Sequence, residues 1–343
     1  VSYAAAVLDG GWLLWRSAHA CVASGRDPGQ AFLLSAAAWM KANGASGLRV
    51  CWDGSRRGRE AVWAGYKANR TAEADPAVRE SHDRARADLD RVLPLLGAAR
   101  HIHPEWEADD ACASLARELR EAEEARAALS ASMNDECPCG RPLGRRAEDG
   151  LCAACADRRD HRAEPPPPRR LRNVLVVSGD KDLLQLTRTG VHVLRPRRDG
   201  DRPDLSYLAT FERVSGVPPV PSPREAWLAF QAVRGDPGDG VPGVRGVGEA
   251  RAAEAVRLYP DLLSRLGRPG ALPLLPPASR RLLEAPDALP AAALAYELCR
   301  LRDDLPVPPL PGPAPSAAAA DDLMEDLGWY DARGSAALRC LAC

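Results

Sequence analysis

Nine carboxylates come from five separate segments of this chain, each at a point where a strand or helix should end: Asp9, Asp53, Glu107 with Asp109 and Asp110, Asp180 with Asp182, and Asp236 with Asp239. A folded chain that gathers so many negative charges in one place needs cations to neutralise them, because unpaired buried carboxylates are expensive to desolvate. The pattern therefore predicts a site for divalent metal, of the two-ion kind that attacks phosphodiesters.

The same positions suggest the fold. Val7-Leu8 before Asp9-Gly10-Gly11, Leu48 to Trp52 before Asp53-Gly54, and Val174 to Val177 before Ser178-Gly179-Asp180 read as short buried strands closed by turns. Helical patterns over 28–43, 77–96, 107–127 and 181–187 lie between them. Strands alternating with helices imply an α/β fold with a mostly parallel sheet flanked by helices, and ligands of such sheets collect beyond the carboxyl ends of the strands. In the helix opening at Glu107, Asp110 lies three residues on, so these two share a face and reach one ion together, whereas Asp109 points to the side.

The chain has 343 residues, is 45% hydrophobic and can bury one large or two modest cores. Its formal charge is −1, which becomes +8 once the nine acids are counted as metal-bound, so the remaining surface suits a polyanion. No apolar run of about 18 residues occurs, and no charged segment precedes the first apolar stretch. A soluble, cytoplasmic protein without a membrane span or signal peptide is expected. Four of the ten cysteines fall between 137 and 155. Cys137 with Cys139 and Cys152 with Cys155 resemble a zinc ribbon whose first knuckle is one residue short, which predicts structural Zn²⁺ with His161 as a substitute ligand. This insertion carries Arg158, Arg159 and Arg162, is expected to add a DNA or partner contact, and exits through Pro165 to Pro168. Cys21, Cys51, Cys112 and Cys299 read as core residues. Residues 307–320 look like a linker, and 321–343 like one short helix with a frayed end at Cys340 and Cys343.

Two further groups suggest contacts to a nucleic acid. Lys67 and Arg70 share a helix face, with Arg59 one or two turns before, and place cations for a phosphate, while Tyr66 is set to stack on a terminal base. Gly243, Gly246 and Gly248 make a tight turn whose backbone N–H groups can approach a phosphate, flanked by Arg245 and Arg251. Such contacts position a strand without reading its sequence. Taken singly, each feature is as well explained by a turn, a helix cap or a solvated basic face.

In order, the segments resemble the 5′ nuclease family: bacterial and phage 5′ to 3′ exonucleases, the small domain of DNA polymerase I, and flap endonucleases. The resemblance runs through Asp9-Gly10; Asp53-Gly54 with Arg59 and Tyr66-Lys67-Ala68-Asn69-Arg70; Glu107-Ala108-Asp109-Asp110; Ser178-Gly179-Asp180-Lys181-Asp182-Leu183-Leu184-Gln185-Leu186; Gly235-Asp236-Pro237-Gly238-Asp239-Gly240; Gly243 to Gly248; and Leu301 to Pro306. It covers roughly residues 1–310 apart from the Cys insertion. The family implies a PIN-like catalytic domain over 1–220 (zinc-ribbon-like insertion 134–164), a helical DNA-binding region of the helix-hairpin-helix type (H3TH) over 221–310, and a linker and tail over 311–343. It implies two Mg²⁺ or Mn²⁺, the first on Asp9, Asp53, Glu107, Asp109 and Asp110, the second nearer Asp180, Asp182, Asp236 and Asp239, and K⁺ at the H3TH turn. The implied activity is a 5′ to 3′ exonuclease or structure-specific flap endonuclease in replication or repair. It would act on DNA or an RNA·DNA hybrid, alongside a DNA polymerase, with the segment 71–100 shaping an arch or clamp. The alternatives are a catalytically inactive DNA-junction binding protein and an RNase H-like primer-removing nuclease.

Overall fold

The computed structural model describes residues 3–70, 75–133, 172–187, 190–196 and 223–332, together with Leu338 and Leu341. Five strands form one sheet: β1 (Tyr3–Asp9), β2 (Leu48–Trp52), β3 (Ala99–Ile102), β4 (Asn173–Val177) and β5 (Val191–Leu194). Their order is β3-β2-β1-β4-β5 and every pairing is parallel. The strand order reverses between β1 and β4, and a crevice beyond the carboxyl ends at such a reversal is where open α/β sheets bind ligands. Leu8 is paired with Val177, so Asp9 and Ser178 emerge side by side at this point.

Helices cover both faces. α1 (Gly10–Val22) begins directly at Asp9, whose side chain caps it; α2 (Pro28–Asn43) has Asp27 as cap, Pro at the first turn and Gly44 in the left-handed conformation after it. α3 (Arg57–Val62) is short, α4 (Pro76–Leu95) is capped by Asp75, and α5 (Ala108–Met133) follows β3. Strand alternation sends Leu8, Val50, Trp52, Leu175 and Val177 to one face, where Leu13 and Leu14 of α1, Phe32 of α2 and Leu89 of α4 bury them. Val7, Cys51, Val174 and Val176 point to the other, against Ala111, Cys112 and Leu115 of α5. Both faces are dry, which is why these strands read as continuous apolar runs.

A helical region follows: α6 (Pro223–Arg234), α7 (Glu249–Leu258), α8 (Leu262–Arg265), α9 (Pro277–Leu283) and α10 (Ala288–Cys299). Trp227, Phe230, Val244, Val256, Leu262 and Leu283 give it a core of its own. Between α6 and α7 the chain makes a small antiparallel hairpin, β6 (Gly235–Asp236) with β7 (Val241–Pro242). Gly235 has φ +75°, and a Cβ there would press on the backbone of Val241 and Gly243, so the hairpin needs glycine.

Several expectations change here. The helical pattern over 181–187 is a 3₁₀ turn, Asp182–Leu186. β3 and β5 were not foreseen, being four residues each and too short to display a period. Leu301 to Pro306, which the resemblance makes a closing strand, run against the sheet without forming one: Leu301, Leu305 and Val307 are buried against α5, and Leu310 N donates to Arg100 O at 2.5 Å along the edge of β3. The supposed linker and tail is also docked rather than loose. Ser316 caps α11 (Ala317–Asp326), and Met324 and Trp329 enter the core beside α2 and α4. Alanine-rich helix and proline-rich connector had masked this, because a single buried Trp gives no periodic signal.

Candidate metal centre

The acidic groups are set by strand ends and helix starts. Asp9 Oδ1 accepts from Trp12 N at 3.0 Å and its Oδ2 from Ser178 Oγ at 2.8 Å, spanning the reversal point. Asp53 Oδ1 accepts from Ala108 N at 3.0 Å and so caps α5, the helix that carries Asp109. A Cβ on Gly11 would stand 2.6 Å from Asp53 Oδ2 and 3.7 Å from Asp9 Oδ1, so both carboxylates close over the same glycine. Asp180 Oδ1 accepts from Asp182 N at 2.8 Å, which starts the 3₁₀ turn, and Asp182 Oδ1 accepts from Gln231 Nε2 at 2.7 Å.

The nine acids divide into two populations. Four have cations: Glu107 accepts from Lys67 Nζ at 2.6 Å and Arg59 Nη1 at 3.2 Å, Asp110 from Arg59 at 2.5 and 2.8 Å, Asp236 from Lys181 Nζ at 2.8 Å, and Asp239 from Arg70 with Lys67 at 3.6 Å. The other five, Asp9, Asp53, Asp109, Asp180 and Asp182, have no ion pair among the described residues. Burial, then the charges of Asp53 and Asp180, push Asp9 up to about 7 despite its two hydrogen bonds. Burial and Asp180 do the same to Asp182, to about 7. Asp109 is raised well above the usual carboxylate range by burial and then by Asp180, Asp9 and Asp182. Glu107 moves the other way: burial opposes, but the ammonium of Lys67, the Tyr66 hydroxyl and Arg59 together hold it low.

Five carboxylates that repel one another and have no counter-ion among the described residues form an all-oxygen donor set, the kind that hard divalent cations take. Among the described residues no three His, Cys or acidic side chains stand close enough to form a ready coordination shell. Physically this is the arrangement expected of uncompensated charges: Asp9, Asp53, Asp180 and Asp182 are each turned toward a backbone N–H, the Ser178 hydroxyl or the Gln231 amide that donates to it. The residues fit a metal in charge and chemistry, with rotation of the side chains left to the ion.

The site also corrects particular roles. Glu107 and Asp110 do share a face, but what they share is the guanidinium of Arg59, and it is Asp109 that faces Asp9, Asp180 and Asp182. Asp110 is 0% exposed and its Oδ1 also accepts from Arg302 N at 2.9 Å. Arg59 is 5% exposed and its Nε donates to Leu298 O at 2.9 Å, so it ties α10 to the catalytic layer rather than reaching out to a phosphate. Tyr66 is buried, with its hydroxyl donating to Glu107 at 2.7 Å, and offers no face for a terminal base. Lys67 and Arg70 do not share a helix face: α3 ends at Val62 and both lie in the turn that follows, where Lys67 holds φ +52°, a conformation disfavoured for a side-chain-bearing residue, and its N donates to Asp239 O at 2.7 Å. The turn at Gly243, Gly246 and Gly248 leads into α7; Gly246 has φ +82°, Arg245 is exposed, and Arg251 Nη1 donates to Gly246 O at 2.8 Å. Cys137, Cys139, Cys152, Cys155 and His161 lie outside the described residues, as do Cys340 and Cys343. Sequence reading gave no role to Lys181 or Gln231. Lys181 stood inside a quoted motif, whereas Gln231 carries no signal in sequence, being one polar residue on an amphipathic helix.

The raised acids fix the sign of a pH effect. Asp9 and Asp182 sit near 7 in the fold against 3.8 for an unburied aspartate, so the metal-free fold binds more protons than the unfolded chain between those limits. Their charge is then destabilising in full above about 7 and relieved as pH falls toward 4. His101 and His192 are lowered by burial and act oppositely, but equally with and without an ion. The rise in unfolding temperature on adding Mg²⁺ is therefore expected to be larger at pH 8 than at pH 6, read by thermal unfolding against EDTA; an equal rise at both would contradict it.

No family model matches the chain. It is 28% identical over 312 residues to the thermostable DNA polymerase I of Thermus aquaticus, covering 88% of this chain and 29% of the polymerase. It is 35% identical over 138 residues to a 5′-3′ exonuclease of Streptomyces coelicolor, covering 39% and 43%. The chain thus spans less than a third of the length of the polymerase and under half of the exonuclease. Among solved structures it is similar to the bacteriophage T5 flap endonuclease, in a complex with DNA and metal ions (TM-score 0.59, 16% identity, 94% of this chain and 93% of that one). It is likewise similar to T5 5′-exonuclease with bound zinc (TM-score 0.57, 16% identity, 98% and 96%). At that identity the likeness is one of fold: a mostly parallel sheet flanked by helices, PIN-like. The ordered motifs and the sequence relatives point the same way, and the chain is similar to the 5′ nuclease family.

Proposed function

We propose that this chain is a metal-dependent 5′ nuclease that hydrolyses phosphodiester bonds at or near a free 5′ end of DNA, as an exonuclease or flap endonuclease. The observation that carries the reading is the set of five carboxylates that have no ion pair among the described residues and are carried to the β1–β4 reversal by strand ends and helix starts, rimmed by Lys67, Arg70 and Lys181. Asp9, Asp53, Asp109, Asp180 and Asp182 would hold Mg²⁺ or Mn²⁺, with Glu107, Asp236 and Asp239 reached through water. When bound, such ions neutralise phosphate charge and lower the pKa of a bound water.

The chain's own residues supply the rest. Lys67 and Arg70 draw in the phosphate, and each is held in place by an acid until a more negative ligand competes for it. Arg59, Tyr66 and Asp110 position Lys67 and Glu107. Arg245 and Arg251, exposed beside the Gly243–Gly248 turn, hold the duplex backbone without reading bases. K⁺ at that turn, Zn²⁺ on Cys137, Cys139, Cys152 and Cys155, action on RNA·DNA hybrids and service to a DNA polymerase belong to the same proposal. Among the described residues no helix is long and apolar enough to cross a membrane.

The test is incubation of the full chain with Mg²⁺ and a labelled 5′-flap duplex. Cleavage near the junction or from the 5′ end, stopped by EDTA, is expected. Tight binding without product at saturating Mg²⁺ and Mn²⁺ would replace this reading with that of a junction-binding protein, and cleavage confined to RNA 5′ strands with that of a primer-removing nuclease.

A further inference from the structure

We infer that Gln231 is a positioning residue for Asp182, acting through a buried amide relay that links the helical region to the acidic crevice. The inference rests on reading Asp182 as a cation-binding acid. Leu301 N donates to Gln185 Oε1 at 3.2 Å, Gln185 Nε2 donates to Cys299 O at 2.8 Å and to Gln231 Oε1 at 3.3 Å, and Gln231 Nε2 donates to Asp182 Oδ1 at 2.7 Å.

The polarity of this relay is forced. A backbone N–H only donates and a carbonyl only accepts, so Leu301 and Cys299 together fix which end of the Gln185 amide is oxygen; reversing it would set like groups against each other on both sides. The Gln185 amino group then leaves Gln231 one orientation, with its own amino group aimed at Asp182. Both glutamines are 1% exposed, so water does not substitute for either partner. Asp182 Oδ1 is thereby held as an acceptor, and the carboxylate presents its other oxygen in a set direction.

Gln231 lies on α6 and Asp182 on the 3₁₀ turn after β4, so the relay crosses from one core to another. Cys299 and Leu301 mark where α10 hands the chain back to the sheet. Seating of the helical region is thus transmitted to the direction of one acid. Outer partners of this kind orient metal-binding groups, and losing one typically costs about 10–100-fold in metal affinity or activity.

The experiment is a Mn²⁺ titration of the unfolding temperature of the full chain, with flap cleavage followed in parallel. For Gln231→Met, which keeps length and loses the donor, the Mn²⁺ concentration giving half the thermal rise is expected to increase about 10–100-fold, with cleavage recovered at saturating Mn²⁺. Gln231→Glu keeps the shape and sets a further carboxylate against Asp182. It is expected to lower the unfolding temperature in EDTA while enlarging the rise on adding Mn²⁺. A wild-type chain with no Mn²⁺-dependent rise would overturn the metal reading itself. A wild-type rise with an unchanged midpoint in Gln231→Met, or Gln231→Glu matching wild type with and without Mn²⁺, would overturn the role of Gln231 and leave the metal reading standing.

Discussion

Asp109→Asn is expected to reduce flap cleavage by about 10³-fold or more, and at the same time to raise the unfolding temperature of the metal-free protein. The first effect follows from removing one charge of the set proposed to hold the ions, whose loss of several kcal/mol in transition-state stabilisation converts at about 1.4 kcal/mol per tenfold in rate. The second follows from its surroundings: Asp109 is buried among Asp180, Asp9 and Asp182 with no ion pair among the described residues, so its ionised form is held against burial and repulsion at once. Asparagine is nearly the same size and carries no charge, and the gain should amount to roughly 2–4 °C for each kcal/mol relieved. Single-turnover cleavage and thermal unfolding in EDTA measure the two sides. Activity within a few-fold of wild type, or a fall in unfolding temperature, would contradict the assignment. A site built from mutually repelling acids trades stability for readiness to bind, and the opposite signs of these two effects are its signature.

The sheet and the site were legible to different depths. Each strand that ends in an acid, Val7-Leu8, Leu48–Trp52 and Val174–Val177, declared itself because a buried parallel strand is continuously apolar and its turn needs glycine. Gly54 is such a case, since any Cβ there would enter the His103 carbonyl. β3 offered no such run: its Arg100 and His101 are polar residues buried through the chain returning at 307–311, a contact more than two hundred residues away. The order of the acids along the chain marks the strand ends and helix starts that carry them, but not which of them an ion pair neutralises. Helical spacing correctly put Glu107 and Asp110 on one face and could not say that the face looks at Arg59. The third dimension enters there, because Arg59 reaches that place from α3, forty-eight residues before Glu107. The same holds for Tyr66, whose spacing points it outward while its hydroxyl is buried on Glu107. Spacing predicts a direction, and burial decides whether anything outside can use it.

Asp110→Asn is the counterpart to the first result, and the neighbouring position should respond in the reverse sense: a loss of stability of about 3–5 kcal/mol. Asp110, which has no exposed surface, takes both arms of Arg59 and the backbone N–H of Arg302, and Arg59 in turn carries Leu298 O and Glu107. Removing the carboxylate leaves a buried guanidinium short of its principal counter-charge, and turning an amide toward it sets donor against donor if the Arg302 contact is kept. Urea unfolding of the full chain should show a lower midpoint with little change in slope. Below its transition, the variant should keep the Mg²⁺-dependent rise in unfolding temperature, since the five unpaired acids are intact. Paired replacement tests the electrostatic cause. Arg59→Met with Asp110→Leu removes both buried charges, and the double variant should be less destabilised than the sum of the singles by more than the roughly 0.5 kcal/mol expected of independent sites. Additive losses would mean that the two side chains matter for packing alone. Loss of the Mg²⁺ effect in folded Asp110→Asn would place Asp110 among the metal-binding acids after all, and the division of the nine carboxylates into paired and unpaired would no longer describe the site.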